Sequence, residues 1–233
     1  MKTSTWTRLL DLISPRLCAV CGQRLTVNEE VLCAECHSHL PLTRYERKPL
    51  DNPMARLFWG LFPIEKASAY FFYEPGSEIS QMIHDMKYRS HPEMAETLGV
   101  MAARWMDASA FFEGIDGVVP MPITRRRRWQ RGYNQCVEIA KGISSVTRLP
   151  VYKNVVERKR FHQSQTKLRG YERRDNVEGA FRLLRTDAVE GKHLLLVDDI
   201  ITTGATVTAC ARELCKVPGV RVSVLSLGLT SWW

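Results

Sequence analysis

The chain lacks any uninterrupted apolar run near the ~18 residues that a membrane-spanning helix requires, so no span is expected among its 233 residues. A signal-peptide core is missing too. The apolar residues near the start, Trp6, Leu9, Leu10, Leu12 and Ile13, are interrupted by Arg8 and Asp11. A short amphipathic helix ending before Pro15 fits them better. Internal repeats and low-complexity segments are absent. No GxxxxGK[ST] loop occurs, which argues against a P-loop ATPase. An even cysteine count is also lacking: there are seven, four of them in two CxxC pairs. That pattern points to a reducing cytoplasm and a metal site, not to a disulfide framework.

What is present is ordinary for a soluble globular protein, with 45% hydrophobic and 25% charged residues. The length suits one mid-sized domain with a small appendage. Residues 1–42 hold the paired cysteines. Residues 43–66, with Pro49, Pro53, Pro63 and the apolar group Leu57, Phe58 and Trp59, read as a connector with one helical turn. From residue 67 to 233, strand-like and helix-like stretches alternate. Ala67–Tyr73, Ile115–Val119, Leu194–Val197 and Val220–Leu227 read as strands, and Val151–Val156 as extended chain. Ile79, Met82, Ile83 and Met86 recur at helical spacing, as do Met94, Leu98, Met101 and Trp105. Cys136–Ile143 and Ala205–Cys215 complete the helices. Such alternation implies an α/β domain around a parallel sheet.

Cys18-Ala-Val-Cys21 and Cys33-Ala-Glu-Cys36 stand eleven residues apart. Each CxxC turn aims two thiolates at one point, and two turns complete a tetrahedron. Zinc suits such a set, and four protein ligands leave no open position, so the role is structural. A four-iron cluster is the alternative; the compact spacing favours a zinc ribbon. His37 and His39 are adjacent and read best as exposed polar residues, with ligand replacement as the other reading.

Charge is regional. Thr124–Arg174 holds fifteen Lys or Arg and three acidic residues, a net +12, so the remainder of this +8 chain holds −4. Charge this dense expects an anionic partner, phosphates or nucleic acid; a solvated basic face is the alternative.

The most informative stretch is Leu194–Thr206, LLLVDDIITTGAT. An apolar strand delivers Asp198 and Asp199 to the carboxyl edge of the sheet, where open α/β folds bind ligands. A hydroxyl- and glycine-containing turn then opens a helix, whose N-terminal N–H groups can cradle a phosphate. A plain N-cap does not explain two adjacent acids, and a receiver domain carries its acids near its own N-terminus. What remains is a phosphate cradle beside two acceptors for ribose hydroxyls.

This run resembles the signature of type I phosphoribosyltransferases across all thirteen positions. On that resemblance Asp198 and Asp199 hold the ribose hydroxyls, and Thr202, Thr203, Gly204, Ala205 and Thr206 wrap the 5-phosphate of phosphoribosyl diphosphate, with Mg2+ as its companion. VVPMPITRRRRWQRGYNQ (Val118–Gln135) is similar to the prolines-then-RGxNQ motif of the ComF family, and HDMKYRS to that family's Lys-Tyr element at Lys87 and Tyr88. Glu157–Phe181 is similar to the family's intervening stretch, with Gln165, Leu168, Arg173, Asn176 and Phe181 in place. GntX-like members are named for gluconate, yet no residue here suggests sugar-acid chemistry.

The ComF resemblance covers nearly the whole chain. It implies a sheet of the type I phosphoribosyltransferase type with an N-terminal zinc ribbon. A basic loop, Arg125, Arg126, Arg127, Arg128, Arg131, Gly132 and Asn134, is expected to bind diphosphate or DNA before a helix opens near Asn134. The implied setting is cytoplasmic handling of incoming single-stranded DNA, with a DNA-uptake helicase or channel as partner. No catalytic residue or pocket for a nucleophile is identifiable. The competing reading is a non-catalytic single-stranded DNA-binding protein, with Trp129, Tyr133, Phe161 or Tyr171 stacking bases. Cys136, Cys210 and Cys215 fall in expected helices and read as small buried hydrophobes.

Overall fold

A computed structural model describes residues 15–89, 91–159 and 179–230. The helix expected over Met1–Ser14 lies outside them, as do Phe161, Gln165, Leu168, Tyr171, Arg173 and Asn176. Four strands form one sheet: β1 (Ile64–Tyr73), β2 (Gly117–Pro120), β5 (His193–Ile201) and β6 (Arg221–Thr230), in the order β1-β6-β5-β2. Every pairing in it is parallel. The expected Val151 extension adds a parallel bridge from Val118 to Val151 at the β2 edge. A separate antiparallel pair, β3 (Val156–Arg158) with β4 (Phe181–Leu183), stands beside the sheet.

β5 is central because its apolar run satisfies both faces at once. Leu195 and Val197 point to one core and Leu194 and Leu196 to the other, as the two-residue period of a strand dictates. The first face is covered by α3 (Glu78–Tyr88), α4 (Pro92–Asp107) and α6 (Gln135–Thr147), through Met82, Leu98 and Ile139. The second is covered by α7 (Ala205–Leu214) and by α2 (Pro53–Arg56) with the turn after it, through Val207, Met54 and Phe58. Helices α4 and α6 touch backbone to backbone: a Cβ on Gly142 would lie 2.0 Å from the Glu96 carbonyl oxygen.

Residues 43–66 differ from a simple connector. They form a 3-10 turn at Tyr45–Arg47, then α2, and β1 already begins at Ile64. Asn52 donates to the carbonyls of Lys48 and Ala67 at 2.9 and 2.8 Å, and its side chain caps α2 by accepting from Ala55 N–H at 3.0 Å. One buried amide thus ties the segment to the sheet. The cysteine-bearing segment docks on the other face. Leu25, Val31, Leu32 and Leu40 join the core containing Tyr70 and Leu98, with Met101 and Trp105 packed against it.

Candidate functional site

The two CxxC turns converge. The Sγ atoms of Cys18, Cys21, Cys33 and Cys36 all lie within 4.8 Å of one another, and Cys21 and Cys33 are 3.7 Å apart. Ligands at a Zn–S distance of ~2.3 Å on a tetrahedron are spaced ~3.8 Å apart, so the thiols fit that ion. Cys33 opens α1 (Ala34–Ser38) as its N-cap, and its sulfur accepts from Cys36 N–H at 3.4 Å. Cys33 N–H in turn donates to Cys18 Sγ at 3.4 Å. Burial raises the Cys18 pKa, but backbone N–H donors from Cys21, Cys33 and Val20 outweigh it and bring the thiol down to about 7. His37 and His39 are exposed and stand outside the cluster. His37 Nε2 meets Tyr70 OH at 3.2 Å and His39 Nδ1 meets the Glu35 carbonyl at 2.8 Å.

Near the carboxyl end of β5, Asp198 and Asp199 stand next to each other while the strand stays paired with β6 as far as Ile201. Asp199 is held on three sides: Ile200 N–H donates to Oδ1 at 2.7 Å, Gln135 Nε2 to Oδ2 at 3.1 Å, and Lys87 Nζ stands 3.2 Å from Oδ2. Asp198 Oδ1 accepts from Asp199 N–H at 2.9 Å and from the Cys136 thiol at 3.5 Å. Burial, reinforced by the neighbouring Asp199 charge, raises the Asp198 pKa to about 7. The same surroundings push the Cys136 thiol well above its ordinary value, burial first. The thiol sulfur and the two carboxylates lie within 4.8 Å, yet magnesium prefers an all-oxygen shell completed by waters and phosphates. Asp198 and Asp199 suit such an ion only if ligand oxygens complete the shell.

The chain then turns at Thr202 and Thr203 and enters α7 through Gly204, at φ 75 and ψ −4. Thr203 Oγ1 accepts a 3.5 Å bond from Ala205 N–H. A Cβ at Gly204 would lie 2.8 Å from the Phe58 ring, so Phe58 supports the turn from below. The acids, the turn and the α7 N-terminus are therefore continuous, as expected of an anion cradle.

The basic stretch departs from its expected form. Arg125–Arg131 is not a loop but a seven-residue helix, α5. Thr124 caps it by accepting from Arg127 N–H at 3.3 Å, and Gly132 ends it with φ 77. Arg125, Arg126, Arg127 and Arg128 are exposed, and Trp129 is 86% exposed. Arg131 turns inward: its guanidinium lies 5.1 Å from the Tyr88 ring centroid and donates to Tyr88 OH at 3.4 Å. Asn134 is buried as the N-cap of α6, its Oδ1 accepting from Cys136 N–H at 3.1 Å and its Nδ2 donating to the Met121 carbonyl at 3.0 Å. It positions Gln135 and Cys136 and spends its own amide doing so. Arg158 at the end of β3 also faces this region. Burial lowers its pKa and Arg127 lowers it further, while Asp198 raises it.

Lys87, Tyr88 and Gln135 are thus the members of the site to which sequence reasoning gave no role, and Arg158, expected to track a DNA backbone with the basic stretch up to Arg174, instead stands near Asp198. Lys87 and Gln135 sat in quoted motifs, but their partner is a strand more than sixty residues away. Cys136 and Cys210 are fully buried in α6 and α7, and Cys215 is half-buried beyond the α7 end.

No protein-family model matches the chain. Among proteins of similar sequence, the DNA utilization protein YhgH of Escherichia coli K12 is 30% identical over 219 residues, 91% of this chain and 89% of that one. Competence protein F of Haemophilus influenzae Rd is 31% identical over 113 residues, 48% and 49% of the two chains. Competence protein ComFC of Bacillus subtilis 168 is 30% identical over 225 residues, 94% and 80% of the two. Among solved structures, the allosteric regulatory enzyme of purine biosynthesis overlaps 61% of this chain and 30% of its own at a TM-score of 0.40 and 18% identity. Leishmania donovani UMP synthase overlaps 67% and 27% at a TM-score of 0.35 and 14% identity.

Proposed function

This chain belongs to the ComF family, and from that premise we propose that it binds a ribose 5-phosphate, in activated form phosphoribosyl diphosphate with Mg2+, and serves the use of incoming single-stranded DNA. The observation that carries the reading is the continuity of Asp198 and Asp199 with the Gly204 turn and the α7 N-terminus. Carboxylates accept from sugar hydroxyls, and helix N–H groups and threonine hydroxyls receive the phosphate. Thr202, Thr203, Ala205 and Thr206 take the 5-phosphate. Arg131, Arg127 and Lys87 are the cations this reading offers to a diphosphate, and guanidinium forks match its oxygens. If transfer occurs, the C1–diphosphate bond breaks with positive charge on the ribose, and positioning with charge neutralisation supplies the catalysis. Zinc in the cysteine cluster is structural, and the setting is cytoplasmic.

A second reading is favoured by the exposure of Arg125–Arg128 and Trp129. Here α5 tracks a DNA backbone and the cleft is retained without chemistry, with contact to DNA-uptake proteins. Both readings meet in one experiment. Calorimetry with phosphoribosyl diphosphate and Mg2+, then with single-stranded DNA present, separates them. Binding of the small ligand supports the cleft reading, and no binding at millimolar ligand refutes it. Displacement of DNA by the ligand locates the DNA at α5, whereas simultaneous binding moves it elsewhere.

A further inference from the structure

Lys87 lies in the last turn of α3, and its Nζ stands 3.2 Å from Asp199 Oδ2. Only 19% of the Lys87 side chain and 13% of the Asp199 side chain are exposed, so water and salt screen the pair little. The remaining contacts of Asp199 are also made within the chain. Ile200 N–H donates to Oδ1 at 2.7 Å, and Gln135 Nε2 donates to Oδ2 at 3.1 Å. Asp198 Oδ1 accepts from Asp199 N–H and from the Cys136 thiol, and Arg158 stands near Asp198. The acid pair therefore comes with cations of its own chain. A divalent ion on Asp199 Oδ2 at ~2.1 Å would lie at most about 5 Å from the Lys87 ammonium. That is a like charge in a poorly screened place. The ion would also compete with the Gln135 N–H for the same oxygen.

We propose that Lys87 is the resident cation of the acid pair: its ammonium balances the charge of Asp199, and Asp199 is a positioning residue for that ammonium and not a metal ligand. The consequence for ligands rests on the ribose-phosphate reading above and deepens it. Mg2+ is required only where a ligand brings oxygens of its own, on the diphosphate of phosphoribosyl diphosphate. A plain ribose 5-phosphate binds with no divalent ion.

The test is electron paramagnetic resonance of Mn2+, a probe for hard divalent ions, added alone to the full zinc-loaded chain. Mn2+ competes poorly with zinc for thiolates. The proteins compared are the wild type, Asp198→Asn, Lys87→Met and Lys87→Gln. Wild type is expected to bind Mn2+ no more tightly than Asp198→Asn does. Both Lys87 variants are expected to bind it about ten-fold more tightly or better, because the acids then lack their cation. Calorimetry with ribose 5-phosphate is the second arm. Wild-type affinity is expected to be the same with Mg2+ and in magnesium-free buffer. The Lys87 variants are expected to weaken about ten-fold without Mg2+ and to regain most of that with it, a rescue that a merely structural lysine would not give. Tight Mn2+ binding by wild type that Asp198→Asn abolishes overturns the proposal, and so does the absence of any gain in folded Lys87 variants. If neither variant folds, the wild-type comparison still decides. Failure of wild type to bind the sugar phosphate under either condition refutes the ribose-phosphate reading and leaves the Mn2+ result to judge Lys87.

Discussion

Gly204→Ala probes the joint between the fold and the anion cradle. Gly204 has φ 75, a region that costs a side-chain-bearing residue ~1–2 kcal/mol. The new methyl would also lie 2.8 Å from Phe58 Cε1, well inside the ~3.5–4.0 Å at which carbon atoms attract. Phe58 is fully buried and its ring sits 5.4 Å from that of Phe62, so it has little room to retreat. Overpacking of this kind costs ~1–3 kcal/mol. Together the substitution is expected to destabilise by about 2–5 kcal/mol, measured as a lowered urea midpoint at constant slope. Adding Phe58→Leu removes the overlap, so the double variant is expected to lose less than the two single losses combined. Strict additivity, or a loss below ~0.5 kcal/mol for Gly204→Ala, refutes the packing argument. Stabilisation by ribose 5-phosphate should vanish in the single variant, because the turn that offers the phosphate its N–H groups is displaced.

Three further outcomes are expected. Wild type should carry about one zinc per chain by elemental analysis, and Cys33→Ser should lose it; because Val31 and Leu32 share the core of α4, the melt should shift down by several degrees without loss of the sheet signal, and visible iron absorption would contradict the assignment. Asp198 holds its proton more tightly folded than unfolded, at about 7 against 3.8, so its contribution to stability is full below pH ~4 and is lost as pH rises towards ~7; denaturation midpoints should fall across that window in wild type and less in Asp198→Asn, and parallel profiles would sink the claim. Reversing Arg126 and Arg128 to Glu should weaken single-stranded DNA binding for all sequences alike and flatten its dependence on salt, whereas unaltered binding would leave α5 a solvated face.

The sequence placed β5 and its acids because a strand buried on both faces must be apolar throughout, and Leu194–Val197 is. It placed α6 near Asn134 because a capping residue leaves a local mark. The error at α5 was of the opposite kind. Four successive arginines have no apolar period, so periodicity reads loop, although Thr124 and Gly132 bracket seven residues as caps. The same weakness hid the packing of residues 43–66, where prolines suggested a connector while Met54 and Phe58 were destined for the core.

By itself, the sequence determined the chemical inventory and its local geometry: four thiols in two turns, two acids at a strand end, and a turn that opens a helix. These follow from contacts within a few residues, which spacing encodes directly. Only the tertiary structure decided that Lys87 from α3 and Gln135 from α6 meet on Asp199, that Arg131 lies against Tyr88, and that Phe58 supports Gly204. Those pairs join elements far apart in the chain. Their meeting depends on how helices cross the edge of the sheet, a consequence of packing the whole core that no short stretch of sequence carries.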